Sequence, residues 1–449
     1  MKKTRLALAI ASAAMISQPV LATNGDHLIG LGAQARALGG TGAAAFFGSE
    51  NALTNPALLG KAQGTEFVLG GTLFKPNVKS STNVASAVGA ASQAAEANGG
   101  MPVAGSGSMA PAMSATSAND TNIIPEVSLA TRLTDNLVFG LGIFGSAGMG
   151  VDYRDNPALF DGYSNLQLMK FAPTLAYNED SWGIGFAPVI QYGALDINYE
   201  TQDGTTGNGM STDLGYGFNI GAYFNLSPEL TLGLAYQSAI NMEYKDQITR
   251  AAEGFGLNGM FTDKLEQPSE IKVGMAYTMG RMMYTADYKQ IGWGSADGYK
   301  DFNWKDQDVF GLGVKFTESN YWVGAGYNYG KDPIEKLGQG ASMQEAYANA
   351  AVNLFNNHFF PGIVESHYTF GGGYQLTKNI AIDAAVVMAS KVTKTVDTSA
   401  VSAGLAMQGA MQNGATQEQA GAFAETVGET SHRVTHSQLG YTIALRMNF

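Results

Sequence analysis

Residues 214–225, LGYGFNIGAYFN, show the pattern that decides the fold of this chain. Leu214, Tyr216 and Phe218 alternate with glycine and asparagine, and residues 310–316, FGLGVKF, repeat the alternation. Since successive side chains of a β-strand point to opposite faces, one face of each segment suits lipid and the other suits a packed or wet interior. Segments of about ten residues with this pattern recur along the chain, which is typical of a transmembrane β-barrel.

Short turns and long polar loops separate these segments alternately. The six tight turns are rich in turn-forming residues and lie at Thr134-Asp135-Asn136, Asn178-Glu179-Asp180, Ser227-Pro228-Glu229, Met279-Gly280-Arg281, Glu318-Ser319-Asn320 and Thr377-Lys378-Asn379. The seven longer loops fall near 79–120, 147–163, 201–213, 246–267, 293–304, 331–362 and 395–430. These connections predict an all-β fold, an antiparallel transmembrane barrel of about 14 strands, because closure of such a barrel favours an even number.

The composition agrees with a membrane barrel. Charged residues make up 14% of the 449 residues, against about 25% in ordinary soluble domains. After the N-terminal region no apolar run approaches the roughly 18 residues that a spanning helix needs. There are no cysteines, so disulfides and thiolate metal sites are not available.

The first 22 residues have the layout of a secretory signal peptide. A basic start at Lys2, Lys3 and Arg5 is followed by an apolar run over 6–16 that is too short to span a bilayer. Export and strand signals together predict the outer membrane of a Gram-negative bacterium. Cleavage after Ala22 changes the formal charge from -12 to 23 − 38 = -15, which disfavours nucleic acid as a partner, and we assign the acidity to solvated loops.

Residues 24–60, NGDHLIGLGAQARALGGTGAAAFFGSENALTNPALLG, carry no strand pattern and little charge. Their small side chains allow close backbone packing, and their apolar residues disfavour a free tail. We therefore predict a plug inside the barrel. The predicted organisation is a signal peptide over 1–22, a plug over 23–62 and a barrel over 63–449.

Aromatic residues and loops complete the predicted topology. Tyr177 and Trp182 flank one tight turn, and Phe316, Tyr321 and Trp322 flank another, as expected of anchors at the periplasmic interface. The loop over 80–120 is a low-complexity tract that we expect to be mobile and extracellular. Loops near 341–357 and 399–426 have compositions that allow short helices, either lids over the pore mouth or surface caps without a ligand role.

Four motifs carry a resemblance to a known family: Gly39-Gly40-Thr41-Gly42-Ala43, Asn55-Pro56-Ala57, Ile124-Pro125-Glu126-Val127-Ser128 and Phe139-Gly140-Leu141-Gly142-Ile143-Phe144-Gly145. The chain resembles the FadL/TodX-type (OmpP1-like) outer-membrane transporters of long-chain fatty acids and hydrocarbons. The resemblance implies fourteen strands, a plug called the hatch, capture of cargo in an extracellular apolar groove, and exit through a wall gap beside the third strand. The last strand, which ends in Phe449, resembles the signal read by the barrel assembly machinery.

The third strand is rich in glycine, which is consistent with such a gap. Gly140, Gly142, Gly145 and Gly148 leave no continuous side-chain wall. Prolines, which cannot donate to the ladder, lie in neighbouring strands at Pro125, Pro173 and Pro188, where bulges or kinks are expected. The alternative is that these glycines only make room for the plug.

Inward lysines are the candidates for contact with cargo. Lys170 shares a strand face with Leu166 and Leu168, and Lys315 lies on the inner face of its own strand. A lysine in apolar surroundings can pair with a carboxylate head group, and Phe144 joins the candidate ligand site. The alternative for either lysine is a structural ion pair with an inward acid such as Asp287 or Asp383.

The predicted function is uptake of hydrophobic compounds, most of all long-chain fatty acids, by ligand-gated passive diffusion with lateral exit. The hatch and gating candidates are Asp26, His27, Leu28, Asn55, Pro56 and Ala57. A hydrocarbon transporter of the same fold is the first alternative. A general porin, a lipid-modifying barrel enzyme, and an adhesin or phage receptor are the others. We expect a monomer, surrounded by outer-membrane lipid and lipopolysaccharide, with no cofactor.

Three sequence motifs that could indicate nucleotide binding, metal binding or catalysis lack the structural context that each function needs. Residues 140–145 match the dinucleotide fingerprint in letters but lack a βαβ unit. His432 and His436 stand about 13 Å apart on a strand, so no metal set is predicted. Ser366 and His367 are adjacent on a strand and point to opposite faces, which argues against an enzyme.

We predict that the mature chain begins at Thr23. The small-residue end of the apolar run at Ala22 is the reason, because signal peptidase cleaves after such a site. N-terminal sequencing of the purified outer-membrane protein checks this prediction, and a sequence that starts at Met1 contradicts it.

Overall fold

Fourteen long strands form a closed antiparallel barrel in the computed structural model, which describes residues 23–97, 113–201 and 204–449. The strands are β1 Thr65–Thr82, β2 Asn122–Arg132, β3 Leu137–Asp152, β4 Tyr163–Asn178, β5 Trp182–Thr201, β6 Ser211–Asn225, β7 Leu230–Gln237, β8 Glu270–Met279, β9 Met282–Ile291, β10 Gln307–Thr317, β11 Tyr321–Gly330, β12 Ser366–Gln375, β13 Ile380–Asp397 and β14 Ser431–Asn448. Each strand pairs with its neighbour in chain order, and β14 pairs with β1 to close the wall. The predicted fold, strand number and six tight turns are confirmed; the predicted signal peptide lies outside the described residues.

The period-two alternation separates a lipid-facing surface from the interior. Tyr216 is 69% exposed on the outer face of β6, whereas Asn219 on the inner face is buried. Aromatic rings meet across two periplasmic turns, Tyr177 with Trp182 at 6.0 Å and Phe316 with Tyr321 at 6.2 Å between centroids. The anchor prediction is wrong for Trp322.

Trp322 points into the barrel and donates from Nε1 to Asp383 at 2.7 Å. The reason is register: Tyr321 and Trp322 are adjacent on β11, so only one of the two rings can face lipid.

The hatch fills the lumen, as predicted. It contains two short strands, Thr23–Asn24 and His27–Leu28, then helices α1 Ala33–Ala37 and α2 Asn51–Thr54, and a 3-10 helix over Pro56–Lys61. No residue from 23 to 62 is fully exposed.

Glycines on both sides let the hatch backbone approach the wall. Gly39 has a left-handed φ of 70°, and a Cβ there would lie 2.5 Å from Leu312 O of β10. A Cβ at Gly313 of β10 would lie 2.7 Å from Leu38 Cβ. Neither position therefore has room for a larger side chain.

Two buried arginines fasten the hatch to the wall. Arg36 of α1 pairs with Glu126 of β2 at 2.5 Å. In the second pair the arginine belongs to the wall and the carboxylate to the hatch: Arg446 of β14 pairs with Glu50 at 3.1 Å. Arg446 also contacts the wall carboxylates Glu66 at 2.8 Å and Asp383 at 3.1 Å. Buried charges are tolerated only when paired, so these contacts fix α1 and the start of α2.

The long loops carry helices: α3 Val84–Ala97, α4 Ile248–Gly254, α5 Met343–Phe359, α6 Ser399–Gln412 and α7 Gln417–Ala424. The helices predicted near 341–357 and 399–426 are confirmed. The low-complexity loop contains α3, a helix that the sequence analysis did not predict. The high intrinsic helix propensity of its alanines accounts for it. Among the described residues no helix is long and apolar enough to span a membrane.

The connection between β7 and β8 is longer than predicted and runs over 238–269. Ile240, Met242 and Tyr244 continue the alternation and are buried. They do not extend the wall, because this segment bridges its own loop through Ile240 with Gln267 and Glu243 with Lys264.

Replacing Arg446 should weaken the folded protein strongly. Arg446→Met leaves the buried carboxylates of Glu50 and Asp383 and the partly buried one of Glu66 without their cation, which should lower the free energy of unfolding by about 3–5 kcal/mol. Urea unfolding in detergent measures the change. Arg281→Met is the control, because Arg281 is exposed and pairs with Glu318 at a periplasmic turn, where the expected loss is below about 1 kcal/mol. Equal losses would contradict the anchoring role.

Candidate functional site: a wall gap behind the hatch tip

The ladder between β2 and β3 stops before the strands end. Its last pair is Glu126 with Phe144. Beyond it, Asn122–Pro125 pair only with β1, while β3 continues along β4. Pro125 has no N–H to donate, and a register shift between Gly145 and Ala147 marks a bulge in β3. The edge of β3 that faces β2 therefore has no strand partner from the wall over 145–149 in the described structure.

The gap is bounded at its outer end by hydrogen bonds. Ala118 N donates to Asp152 O at 2.8 Å, and Asp152 N donates to Ser117 Oγ at 2.9 Å. The opening in the ladder is therefore a window between these bonds and the Glu126 and Phe144 pair.

The first residues of the hatch cover this window from inside. We call residues 23–28 the hatch tip. His27 pairs antiparallel with Ala147, and Gly148 N donates to Asp26 O at 3.1 Å. The backbone of the hatch tip thus takes the place of the missing strand.

The four glycines of β3 divide into two pairs by their neighbours. A Cβ at Gly140 would collide with Leu59 of the hatch, and one at Gly142 would lie 2.5 Å from the Phe144 ring and 3.3 Å from Ala52 Cβ of the hatch. By contrast, a Cβ at Gly145 would lie 2.7 Å from Ile124 Cγ2 across the window, and Gly148 bonds to the hatch tip. Gly140 makes room for the hatch, Gly142 makes room for the Phe144 ring and the hatch, and the other two glycines lie at the window.

The other two predicted proline sites carry no bulge. Pro173 of β4 and Pro188 of β5 stand opposite each other, and the ladder between these strands lacks pairs over 172–174 while its register continues unchanged. Two residues without N–H groups explain the missing bonds.

A cavity of about 60 Å³ lies between the hatch tip and the wall. Its lining includes three lysines, Lys170, Lys272 and Lys289, and it reaches Ser146 at the window. Lys272 pairs with Glu270 at 3.0 Å. Lys170 and Lys289 form no hydrogen bond or ion pair with any residue that the structure describes, although both are at least nine-tenths buried.

Polar side chains near Lys170 also lack partners. Gln191, the cross-strand neighbour of Lys170, is fully buried, and both atoms of its amide are unbonded. Ser146 Oγ and Gln237 Nε2, which line the cavity, are unbonded too. Buried polar groups normally have partners, so this side of the lumen is suited to a polar group from outside the chain.

The structure separates the predicted ligand residues. Phe144 and Lys170 are cross-strand neighbours at the window. Leu166 and Leu168 are buried further along β4 but do not line the cavity. Lys315 lies elsewhere, with its Nζ 2.5 Å from Gln34 Oε1 and 5.1 Å from the centre of the Trp322 ring.

The alternative of structural ion pairs for these lysines is not observed. Asp287 accepts from Gly42 N and Ala43 N, each at 2.8 Å. Asp383 pairs with Arg446. Both inward acids are thus occupied by the hatch or by arginine.

The predicted hatch residues lie at opposite ends of the hatch. Leu28 lines the cavity, and His27 Nδ1 lies 2.5 Å from Glu270 Oε1. Asp26 is fully buried, and burial raises the pKa of its carboxyl above the usual value.

At the far end, Asn55 binds the hatch to β6. Its side-chain amide donates to Ala43 O at 2.7 Å and Ala222 O at 3.1 Å, and its oxygen accepts from Ala57 N at 3.1 Å. Pro56 begins the 3-10 helix that this bond caps.

Sequence reasoning missed five residues of the site: Glu270, Lys272 and Lys289, which line the cavity, and Gln267 and Tyr299, which donate hydrogen bonds to Asp26. Glu270 and Lys272, like Asp287 and Lys289, are charged residues two apart on one strand, and so share a face. Charge on the inner face of a barrel strand was the available signal. Gln267 and Tyr299 lie in loops and carry no such signal.

A shallow groove lies on the extracellular helix α6. It is lined by Gly404, Met407, Met411 and two glutamines, with an open volume of about 520 Å³. Methionine side chains adapt to apolar molecules of different shape.

A closed barrel with an internal plug and a covered window in its wall defines a plugged outer-membrane transporter. The family described as outer membrane protein transport protein (OMPP1/FadL/TodX) matches residues 27–429. The chain belongs to this family of Gram-negative outer-membrane transporters of hydrophobic compounds.

Solved structures of transporters share the fold. The Pseudomonas putida toluene transporter TodX is 18% identical with a TM-score of 0.61, over 94% of this chain and 99% of that one. A Pseudomonas aeruginosa FadL homologue is 13% identical with a TM-score of 0.62, over 95% and 100%. The Ralstonia pickettii toluene transporter TbuX is 18% identical with a TM-score of 0.57, over 94% and 98%. No curated protein matches the chain.

Proposed function

We propose that the protein takes up long-chain fatty acids by ligand-gated passive diffusion, with lateral exit into the membrane. The observation that carries this choice of cargo is the pair of unpartnered amines, Lys170 and Lys289, in the cavity behind the window. An ammonium group taken out of water is costly unless an anion meets it. A carboxylate head group supplies that anion, and its hydrogen bonds gain strength away from water.

The second candidate is a neutral aromatic hydrocarbon. TodX and TbuX, which share the fold, are described as toluene transporters. A hydrocarbon has no group that can pair with an ammonium, so it would leave both lysines as they are. The lysines therefore favour the fatty acid.

In our proposal the cargo leaves through the window between β2 and β3. The cavity reaches Ser146, so a head group near Lys170 lies behind the covered opening. The tail then has only the hatch tip between it and lipid. Cargo can shift the equilibrium of the hatch tip from the closed to the open arrangement only by the difference between its affinities for the two.

We assign no catalytic role to any residue. The groove on α6 is the proposed extracellular capture surface, and Phe449 the proposed contact for the barrel assembly machinery. We propose a monomer that contacts only outer-membrane lipid and lipopolysaccharide around its wall. The family and the lipid-facing outer surface support these proposals.

Replacing Lys170 should weaken fatty-acid binding selectively. Lys170→Met keeps the length of the side chain and removes the charge, so palmitate affinity should fall about tenfold to a hundredfold, the range for a lost hydrogen bond between charged groups. Toluene binding should not change. Isothermal titration in detergent measures both.

Lys315→Met is the matched control, because Lys315 is also an inward lysine but contacts Gln34 and Trp322 away from the cavity. It should leave palmitate affinity unchanged. Unchanged affinity in Lys170→Met would remove the lysine from the mechanism and favour the hydrocarbon.

Blocking the window should stop uptake. Ser146→Phe places a ring between the cavity and lipid, so palmitate uptake by cells should fall to the level of a deletion strain. Ile143→Phe is the control, since Ile143 lies on the same strand, is only partly buried, and pairs with Val127 below the window. Normal uptake in Ser146→Phe would contradict lateral exit at this place.

A further inference from the structure

Two extracellular loops, which are not part of the barrel wall, hold the hatch tip. Asp26 accepts hydrogen bonds from Tyr299 OH and, at 3.3 Å, from Gln267 Nε2. Tyr299 belongs to the loop between β9 and β10, over 292–306, and Gln267 to the loop between β7 and β8. The two loop side chains also bond to each other at 3.2 Å, so they form one unit around the carboxylate.

The same loops contact the neighbours of Asp26. Gln267 Oε1 lies 2.8 Å from His27 Nε2. The Trp293 ring stands 4.9 Å from the His27 ring. Gly25 has a φ of 65°, and a Cβ there would lie 2.7 Å from Trp293 and 3.0 Å from Trp304. The backbone of the hatch tip is therefore packed under two tryptophan rings.

These loops are joined in turn to the extracellular helix α5. Trp304 Nε1 donates to Asn356 Oδ1 at 3.2 Å, and Asn356 Nδ2 donates to Phe302 O at 2.7 Å. The rings of Phe302 and Phe355 stack with centroids 5.1 Å apart. The hatch tip is thus connected to the outer surface of the molecule by packed side chains.

We propose that the two loops form a latch that holds the hatch tip over the window, with Tyr299 and Gln267 as positioning residues that act through Asp26. The inference rests on the proposed displacement of the hatch. Asp26 supplies both the carboxylate that the loops bind and the backbone oxygen that Gly148 of β3 binds. The tip cannot leave the window without breaking the bonds to the loops.

The latch sets the threshold for opening independently of the cargo site. Its bonds exist only in the closed arrangement, so their loss raises the population of the open one even when no cargo is present. Conversely, a molecule that displaces the loops or α5 from outside should release the tip. This makes the loops, and not the lysine cavity alone, a determinant of gating.

A cysteine at the window can report the position of the hatch tip. The natural chain has no cysteine, so Ser146→Cys adds a single thiol, and its reaction with a charged maleimide in proteoliposomes without cargo reports how often the tip is away. Adding Tyr299→Phe removes one hydroxyl that bonds to Asp26 and keeps the ring. Labelling should then become about tenfold faster or more, the effect of losing a hydrogen bond to a charged group.

Tyr288→Phe is the matched control. Its hydroxyl also donates to an aspartate, Asp308, at 2.7 Å, but in an exposed contact away from the hatch tip. Gln267→Met is a second variant that removes the bonds to Asp26 and His27. Thermal unfolding of each protein separates a released tip from a damaged barrel.

The latch is supported if Tyr299→Phe and Gln267→Met speed labelling, Tyr288→Phe does not, and the unfolding temperatures are equal. It is overturned if labelling is unchanged in both loop variants, or if Tyr288→Phe speeds it as much. Adding palmitate to the Ser146→Cys parent tests the cargo separately. If palmitate has no effect while the loop variants do, the fatty-acid assignment fails and the latch stands.

Discussion

A wall inside lipid must satisfy every backbone N–H and C=O group by itself, because hydrocarbon offers no partner. The ladder between β2 and β3 ends early, at Pro125 and the bulge at Gly145, whereas the interruption between β4 and β5 lies at two facing prolines and the register resumes beyond it. The free edge of β3 is not left open: the hatch tip supplies the acceptor for Gly148. The window therefore exists only together with its cover, and moving the cover exposes backbone groups that cargo or lipid must shield.

The distribution of buried charge follows from the same constraint. Around α1 and α2 every arginine has a carboxylate across the boundary between hatch and wall, as Arg36 has Glu126 and Arg446 has Glu50. Behind the window the pattern changes, because Lys170 meets no acid among the described residues. Lys289 in the same cavity is unpaired as well in the part of the chain that the structure describes, and this local absence of partners is what supports the proposed binding of a group from outside the chain. The contrast between the two regions identifies the site more sharply than either region alone.

Alternation and turn chemistry are local, so the sequence predicts the strands and their number. The alternation with their immediate neighbours predicts that Leu214 and Tyr216 lie on the lipid-facing side of their strand. The site depends on register between distant strands. Gln267 meets Asp26 across 241 positions, and no local pattern encodes that meeting. The prediction that Trp322 anchors the barrel at the interface is wrong for a related reason. A nearby turn predicts that an aromatic residue lies near the membrane interface, but only the strand register determines whether its ring faces lipid or the lumen.

The anchors also determine which part of the hatch can move. Arg36 and Glu50 hold its middle through buried ion pairs, and Asn55 bonds its end to β6. Separating such pairs costs several kcal/mol each, about 3–5 in measured cases. The tip is held by hydrogen bonds, each of which contributes about 0.5–3 kcal/mol, and by the contact of His27 with Glu270; no arginine pairs with it among the described residues. A ligand of ordinary affinity can supply the second amount but not the sum of the first. In the proposed mechanism, opening therefore displaces residues 23–28 and leaves the rest of the plug in the lumen, so that cargo passes sideways without a water-filled pore being formed.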